Sequence, residues 1–479
     1  MRGVFELRSF LVFGFCLCSL LYPARARSSD AVDRKTSVVP HVDERVELLS
    51  IVFRLGGNPE YNMNTLPAYS ADIERSFAPY KDHPAVRMAH ELFAKNGVSF
   101  DAVMGMAISL SPPPALQPLV PFTAAVPDQR WGTADVGKFL PLLRDFYRDS
   151  KFAEFYAVHQ AMYRLAETRF AMTLGSVDLG WYPRFYGKAP DLTYHLFLGM
   201  NNGGGNYGPR LVHEDASMEL FSIIGCWTHD DAGNPTYPPD QEYLGTIIHE
   251  FNHSFVNPAV AERWKDFSGA KPVFEIVQDP MRRWGYGDAQ TMVDESLVRA
   301  AVIVYFQDKG EESGKNLQRI REEQRHGFLW MDELVDKLKQ YEAQRAQYRT
   351  FSSYMPQIAL FYRDLAPRTA AAFAARSAHV VSTEPFANHS QDVDASVRLI
   401  TIVVDKQLDP RGYSINYGTG GKEHYPIMGK PTFGEDGLQI LLPVQLKPNQ
   451  TYSFVLTPMA FLTPDGYPLE NYTVEFKTR

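Results

Sequence analysis

The chain has 479 residues, 45% of them hydrophobic and 13% aromatic, and a formal net charge of −8 at pH 7. That length allows two or three domains, and the composition is typical of packed globular cores rather than of disorder. The acidic balance gives no reason to expect nucleic acid or an anionic membrane surface as a partner. The three cysteines, Cys16, Cys18 and Cys226, are too few for a disulfide framework or a cysteine-rich zinc site.

The first 26 residues are predicted to be a secretory signal peptide. A short positive start is followed by an apolar run at 9–22 and an Ala24-Arg25-Ala26 cleavage site. The run is too short to form a stable membrane span. We therefore expect an exported protein, periplasmic or extracellular, without a transmembrane segment after cleavage and with Cys226 as a lone thiol. A buried N-terminal helix hairpin is the alternative.

Residues 27–378 are predicted to form a mostly helical domain with a small mixed sheet. Apolar residues recur at three- and four-residue spacing over 71–80, 84–96, 134–148 and 151–174, which favours helices. The segments 192–200 and 218–227 read as strands, and a glycine-rich stretch at 201–208 follows the first of them. Its three adjacent glycines would let another backbone approach closely, although an ordinary turn explains them equally well.

The central motif of the chain is His249-Glu250-Phe251-Asn252-His253. It lies in an apolar helical pattern that Asn257-Pro258 is predicted to end. Histidines at i and i+4 share one face of a helix, so both imidazoles can reach one metal ion. Glu250 would then lie beside the metal, where it can accept a proton from a bound water. A surface helix with two chance histidines is the alternative, but such an apolar setting favours a zinc site.

A catalytic zinc site needs a third protein ligand and one open position. No histidine follows His253 at short spacing, so a carboxylate on a later helix is expected. Glu295 opens an apolar helical segment and is the favoured ligand, while Glu275 competes from a short stretch at 273–277 that could be a strand. The cluster His229-Asp230-Asp231 is another metal candidate, but its neighbours favour a solvated turn.

Three segments together resemble a bacterial family known only as a domain of unknown function (DUF4932-like). They are HEFNHSFVNP at 249–258, DESLVRA at 294–300 and the glycine-rich stretch before them. Members of that family look like secreted gluzincin-type metallopeptidases, and the resemblance covers roughly residues 40–370. Many gluzincins carry an acidic residue shortly after the third ligand, which orients a zinc-binding histidine. Arg299 stands at that position here, so the orienting contact is expected from elsewhere, with Asp294 as a candidate.

The last hundred residues, 379–479, are predicted to be an all-β domain. The charged helical segments before it, 311–325 and 331–349, read as solvated faces. From 379 the pattern alternates at hairpin spacing, and Leu446–Tyr452 resembles the tyrosine corner of immunoglobulin-like sandwiches. We expect an Ig-like module with a possible protein or glycan partner, and a spacer or a lid over the cleft is equally open.

Together these observations predict an α+β chain, a zincin-like metallopeptidase domain followed by the Ig-like sandwich. His249, His253 and Glu295 would hold Zn²⁺, and Glu250 would act as the general base in hydrolysis of a peptide or protein substrate. The stabiliser of the oxyanion, or another substrate-binding group, is expected among four candidates: Tyr286, Tyr207, His213 and Arg299. The alternatives are a zincin-fold binding module without catalysis and a zinc hydrolase of a non-peptide amide or ester.

Overall fold

A computed structural model of the chain describes residues 38–174, 177–187, 191–238 and 243–479. The structure is mixed α+β and about half helical, with small sheets and a C-terminal β region, as the sequence predicts. The predicted signal peptide, with Cys16 and Cys18, lies outside the described residues. Within the described ranges no helix has both the length and the apolar character needed to cross a bilayer.

The described residues up to Arg376 form helices packed around one sheet. The helices are α1 (Glu44–Gly56), α2 (Pro67–Phe77), α3 (Pro84–Asn96), α4 (Asp101–Ile108), α5 (Thr133–Asp149), α6 (Phe152–Val158), α7 (Gln160–Thr173), α8 (Trp181–Tyr186), α9 (Tyr243–Arg263), α10 (Ala270–Arg283), α11 (Ala289–Asp308), α12 (Ser313–Arg325), α13 (Met331–Ala343), α14 (Phe351–Arg363) and α15 (Ala366–Arg376). Short 3₁₀ turns lie at Pro59–Tyr61, Ala78–Tyr80 and Trp264–Asp266.

The sheet of this region has the spatial order β1-β2-β4-β3. Its strands are β1 (Pro40–His41), β2 (Leu192–Gly199), β3 (Arg210–Val212) and β4 (Met218–Gly225). The strands β1, β2 and β4 run parallel, whereas β3 runs antiparallel to β4 and forms one edge. Helix α9 packs against β4 and α11, which places the central motif beside that edge.

Two helices begin at aspartates that cap them. The first N–H groups of a helix have no partner within the helix, and an aspartate side chain accepts a hydrogen bond from one of them. Asp43 accepts a hydrogen bond from the Arg45 amide at 2.9 Å at the start of α1. Asp288 accepts one from the Thr291 amide at 2.9 Å at the start of α11. The second cap fixes where α11 begins, and therefore where Glu295 lies on its second turn.

The C-terminal region contains two antiparallel sheets, ordered β11-β10-β7 and β5-β6-β9-β8. Their strands are β5 (Val380–Glu384), β6 (Leu399–Val404), β7 (Ile415–Tyr417), β8 (Thr432–Phe433), β9 (Gln439–Pro443), β10 (Thr451–Leu456) and β11 (Tyr472–Lys477). A separate buried apolar cluster lies between them and includes Ala378. The hydroxyl of Tyr452 accepts a hydrogen bond from the Lys447 amide at 2.7 Å, the contact that a tyrosine corner makes.

The two regions touch through a turn of the β region. The Tyr467 hydroxyl donates to the Gln324 carbonyl at the end of α12, at 2.5 Å. Beside it, Arg283 of α10 donates to the Gly466 carbonyl at 2.9 Å. Tyr467 is 4% exposed and packs with the helical core rather than with the β core. This turn therefore packs the β region against the helical region.

Several predicted element boundaries differ from the structure. The pattern over 151–174 forms two helices, α6 and α7, and the stretch at 273–277 is helical within α10. The prediction that Asn257-Pro258 ends the central helix is wrong, because α9 continues through Pro258 to Arg263. Proline removes the helical donor to the carbonyl four residues earlier, that of Ser254. Arg210 supplies the missing hydrogen bond to that carbonyl at 2.9 Å, so the helix is not interrupted.

Candidate metal centre and cleft

Helix α9 presents the central motif on the face turned toward α11. Its apolar side chains Ile247, Ile248 and Phe251 are fully buried, which fixes the rotation of the helix. The side chains of His249 and His253 keep 18% and 17% of their surface exposed. They lie one turn apart, as i and i+4 positions must, and their Nε2 atoms are 3.1 Å from each other.

Glu295 of α11 completes a three-residue group with these histidines. Its Oε2 lies 3.6 Å from His249 Nε2, and its Oε1 lies 3.6 Å from His253 Nε2. One ligand atom from each of the three residues falls within 4.8 Å of the others, so the group could hold a metal ion. Among the described residues it is the sole cluster of three or more such side chains with this property.

The donor atoms fit a small tetrahedral cation. Nitrogen and oxygen ligands about 2.1 Å from a tetrahedral ion are about 3.4 Å apart. The observed separations of 3.1 and 3.6 Å bracket that distance. Burial lowers the pKa of His249 well below its usual value, and His253 and Arg299 add to the effect. His249 therefore presents a neutral imidazole, the form that binds metals.

Glu295 is itself held by Tyr286 and Arg299. The Tyr286 hydroxyl donates to Glu295 Oε2 at 3.0 Å and accepts from Arg299 Nη2 at 2.7 Å. Arg299 Nε lies 3.4 Å from the same oxygen, and Nη1 donates to Glu323 of α12 at 2.9 Å. Tyr286 and Arg299 thus orient the third candidate ligand, and the Tyr286 hydroxyl and both Nη atoms of Arg299 are hydrogen-bonded within this network.

His253 has a supporting contact of its own. Its Nδ1 lies 3.1 Å from Asn257 Oδ1, one turn further along α9. A hydrogen bond there leaves Nε2 as the metal-facing atom. The residues described offer no such contact from Asp294, whose Oδ1 is buried without a hydrogen-bond partner. Asn257, not Asp294, is therefore the group that orients a histidine of the centre.

Glu250 lies beside the three-residue group but is not part of it. Only 5% of the residue is exposed, and it lines the same cleft. Burial raises the pKa of Glu250 well above its usual value, and the charge of Glu295 raises it further. A cation held by the group would oppose this shift. A buried carboxylate with a raised pKa next to a metal position has the character of a proton-transferring group.

The edge of the sheet lies directly against Glu250. A Cβ built on Gly208 would be 2.0 Å from the Glu250 carbonyl oxygen, so no side chain fits at this position. Tyr207 pairs with Ile223 of β4 by two backbone hydrogen bonds of 2.9 Å, which extends the edge back from β3. Because antiparallel pairing alternates along a strand, the backbone groups of Gly208, Arg210 and Val212 project away from β4.

A cleft of about 1490 Å³ opens over the centre. The edge segment, residues 207–212, forms one wall and α9 the floor. The opposite wall is formed by α11 and the second half of α12, and Trp284 at this wall is 48% exposed. Tyr207 also lines the cleft, and burial raises the pKa of its hydroxyl, which has no hydrogen-bond partner among the described residues. Of the four predicted oxyanion candidates, Tyr207 and Arg299 both line the cleft and both carry a buried polar atom, the Tyr207 hydroxyl and Arg299 Nε, without a hydrogen-bond partner among the described residues.

The remaining candidates lie away from the centre. His213 does not line the cleft, because its Nε2 pairs with Glu219 Oε1 at 2.8 Å on the sheet. Glu275 lies on α10 and is not among the three grouped residues. Asp230 forms the predicted turn, accepting hydrogen bonds from the Asn234 and Ala232 amides at 2.9 and 3.1 Å.

Sequence reasoning missed four residues of this site: Asn257, Arg210, Glu323 and Trp284. Asn257 precedes a proline and was interpreted as a stop signal. Glu323 lies in a charged segment predicted to be solvated, yet its side chain is only 19% exposed and is paired with Arg299. A polar residue four positions after a candidate metal-binding histidine is the one signal that could have indicated Asn257.

Residues 38–360 match the family described as domain of unknown function DUF4932, and the chain belongs to that family. No curated protein matches the chain. Matching solved structures include CopC from Methylosinus trichosporium OB3b, at 18% identity over 21% of this chain and 92% of that chain, with a TM-score of 0.17. Domains 1–6 of the surface layer protein SbsC match at 14% identity over 51% of this chain and 34% of that chain, also with a TM-score of 0.17. At such TM-scores these likenesses carry no argument about the fold or function of this chain.

Proposed function

We propose that the chain is an exported zinc-dependent peptidase of the gluzincin type. The observation that carries the proposal is the geometry of four side chains: His249, His253 and Glu295 converge with donor atoms 3.1–3.6 Å apart, and Glu250 lies buried beside them. Two imidazoles and one carboxylate are a ligand set used by catalytic zinc, with one position left open. A structural zinc site would need a fourth protein ligand.

The substrate would bind along the edge segment. The outward backbone groups of Gly208, Arg210 and Val212 offer a line of hydrogen-bond donors and acceptors to an extended peptide. This parallel sheet with an antiparallel edge strand beside the central helix also supports a zincin-like fold. The C-terminal region, with two antiparallel sheets and the Tyr452 contact, supports an Ig-like module that binds a protein or glycan partner.

The residues have separate tasks in hydrolysis. A zinc ion held by the three ligands would polarise the scissile carbonyl and make water a stronger nucleophile. Glu250 would take a proton from the attacking water at its carboxylate and pass it to the leaving amine. The free hydroxyl of Tyr207 would donate a hydrogen bond to the developing oxyanion. Tyr286 and Arg299 would keep Glu295 in position.

Paired variants of a ligand and the base test this proposal. Purified chain should carry about one zinc ion, and His253→Ala should lose most of it. Glu250→Gln should keep the zinc while turnover of the best substrate from a peptide library falls by at least about a hundredfold. Full zinc content in His253→Ala would contradict the ligand assignment, and undiminished turnover in Glu250→Gln would remove that residue from the mechanism. Peptide binding with zinc present but without cleavage would indicate a binding module instead.

A further inference from the structure

One cation of the cleft has no carboxylate partner among the described residues. Arg130 pairs with Asp101 and Asp128, at 2.7 and 2.8 Å. On the opposite wall Arg299 pairs with Glu323, and Arg319 pairs with Glu311, both at 2.9 Å. Arg210 also lines the cleft, but no ion pair joins it to any residue that the structure describes. Its guanidinium makes a single hydrogen bond, to the Ser254 carbonyl.

The position of Arg210 relates directly to the proposed reaction centre. Gly208 lies against the Glu250 carbonyl, and Arg210, two strand residues later, reaches Ser254, one helical turn later. Two strand residues span about 6.6 Å and one helical turn about 5.4 Å, so strand and helix advance together. The guanidinium therefore lies about one turn beyond Glu250, within reach of a side chain near the scissile bond.

The electrostatics of Arg210 are unusual for a cleft wall. Part of the side chain is exposed, yet burial of the remainder lowers the pKa of the guanidinium, and no carboxylate opposes that effect. A cation in such a place gains most when a ligand supplies the missing charge, because a guanidinium binds a carboxylate with two parallel hydrogen bonds.

We propose that Arg210 is a specificity-determining residue that binds a carboxylate of the substrate within about two residues of the scissile bond. This inference rests on the proposed peptidase function and adds the substrate class. Antiparallel pairing with the edge segment would place that carboxylate on the N-terminal side of the bond. The carboxylate is therefore that of an Asp or Glu side chain of the substrate.

Equilibrium binding tests this without requiring cleavage. Fluorescent alanine-rich hexapeptides with Glu or Gln at each position in turn, all with amidated C-termini, are titrated into Glu250→Gln protein loaded with zinc. A second set is neutral inside and carries a free or amidated C-terminus. We expect one Glu position to bind at least about tenfold tighter than its Gln counterpart, with a preference that weakens as salt increases. A preference confined to the free C-terminus would contradict the inference, because the chain end lies on the C-terminal side of any bond that is cleaved.

Variants of Arg210 separate charge from structure. Arg210→Met should abolish the preference, Arg210→Lys should keep part of it, and Arg164→Met, an equal charge change outside the cleft, should leave it intact. Because Arg210 also bonds the Ser254 carbonyl, Arg210→Met is repeated with Pro258→Ala, which restores a helical donor to that carbonyl. A melting temperature is recorded for each variant.

Equal affinity for Glu and Gln peptides, a preference that survives Arg210→Met, or no binding of any peptide would overturn the inference. Cleavage of the library by wild-type protein without an acidic preference would overturn it while leaving the peptidase proposal intact. Loss of zinc from His253→Ala and loss of turnover in Glu250→Gln test that proposal separately.

Discussion

At the scale of single residues, the contacts behind the candidate metal ligands matter as much as the candidate ligands themselves. Tyr286 donates to Glu295 and accepts from Arg299, so its hydroxyl links the carboxylate to the cation that neutralises it. Contacts of this kind typically change metal affinity by about 10–100-fold when removed. The ligand set alone would therefore underestimate what holds an ion at this site.

We expect Tyr286→Phe to weaken zinc binding by about tenfold or more, since the ring stays and only the hydrogen bond is lost. Competition with a chromophoric chelator measures the affinity. Tyr194→Phe is the matched control, because that hydroxyl is buried without a partner among the described residues. Equal affinity in Tyr286→Phe and the control would show that the hydroxyl does not support Glu295.

Glu47 of α1 makes the stability of the fold depend on pH. It is fully buried, and it accepts hydrogen bonds from the Tyr69 hydroxyl and the Met200 amide, both at 2.7 Å. Burial raises the pKa of Glu47 from 4.5 to about 7, although these hydrogen bonds oppose the change. Below pH 4.5 the group is protonated in both folded and unfolded chains. Between pH 4.5 and about 7 the unfolded chain releases this proton while the folded chain keeps it, so the free energy of unfolding falls as the pH rises.

Wild-type protein should therefore lose about 3 kcal/mol of unfolding free energy between pH 4.5 and 8 that Glu47→Gln does not lose. Urea denaturation of both proteins across that range measures the difference. The amide of Gln cannot replace both acceptor oxygens, so the variant is expected to be less stable at low pH. The prediction concerns how the free energy of unfolding of each protein changes with pH. An equal change in wild-type protein and Glu47→Gln would contradict it.

At the scale of elements, the fit between the edge segment and α9 decides whether the centre can form. Gly208→Ala would place a methyl group 2.0 Å from the Glu250 carbonyl oxygen, a backbone atom that cannot move alone. We expect a loss of about 1–3 kcal/mol or more in stability, together with reduced zinc occupancy. Gly204→Ala, in the same stretch but with nothing within 4 Å of the added carbon, is the control. Melting temperature and zinc content are measured for both variants. Equal values would mean that the segment around Gly208 can move to accommodate the added methyl group.

The elements also explain what sequence could and could not predict. The spacing of His249, Glu250 and His253 predicts their shared face because helical periodicity is local, and the apolar segment after Glu295 predicts a helix for the same reason. The continuation of α9 past Pro258 was not predictable, because Arg210, which satisfies the freed carbonyl, is distant in sequence. The burial of Glu323 was not predictable for the same reason, since its partner Arg299 lies 24 residues away in the sequence.

At the scale of the whole molecule, two separate buried cores imply two folding units. Ala378 packs in the second core, so the unit is expected to begin there rather than at 379. Residues 378–479 expressed alone should unfold cooperatively and give a β-type circular dichroism spectrum. The fragment leaves Tyr467 without its partner, so we expect it to be less stable than in the full chain. An unfolded fragment would show that the two regions share one folding unit.

The contact between Tyr467 and α12 connects the β region to the helix that supports the candidate metal centre. Gln324, which accepts its hydrogen bond, directly follows Glu323, which holds Arg299 behind Glu295. Docking of the β region and binding of an ion by the candidate centre would therefore act on the same helix end. Any effect of one on the other would be mutual, with one common factor. Removal of zinc by a chelator should speed proteolysis at the junction near residue 377. Conversely, Tyr467→Phe should weaken zinc binding. If neither change has an effect, α12 does not couple the two regions. Any contact that displaced Tyr467 from α12 would, through this helix, change the affinity of the candidate centre for an ion.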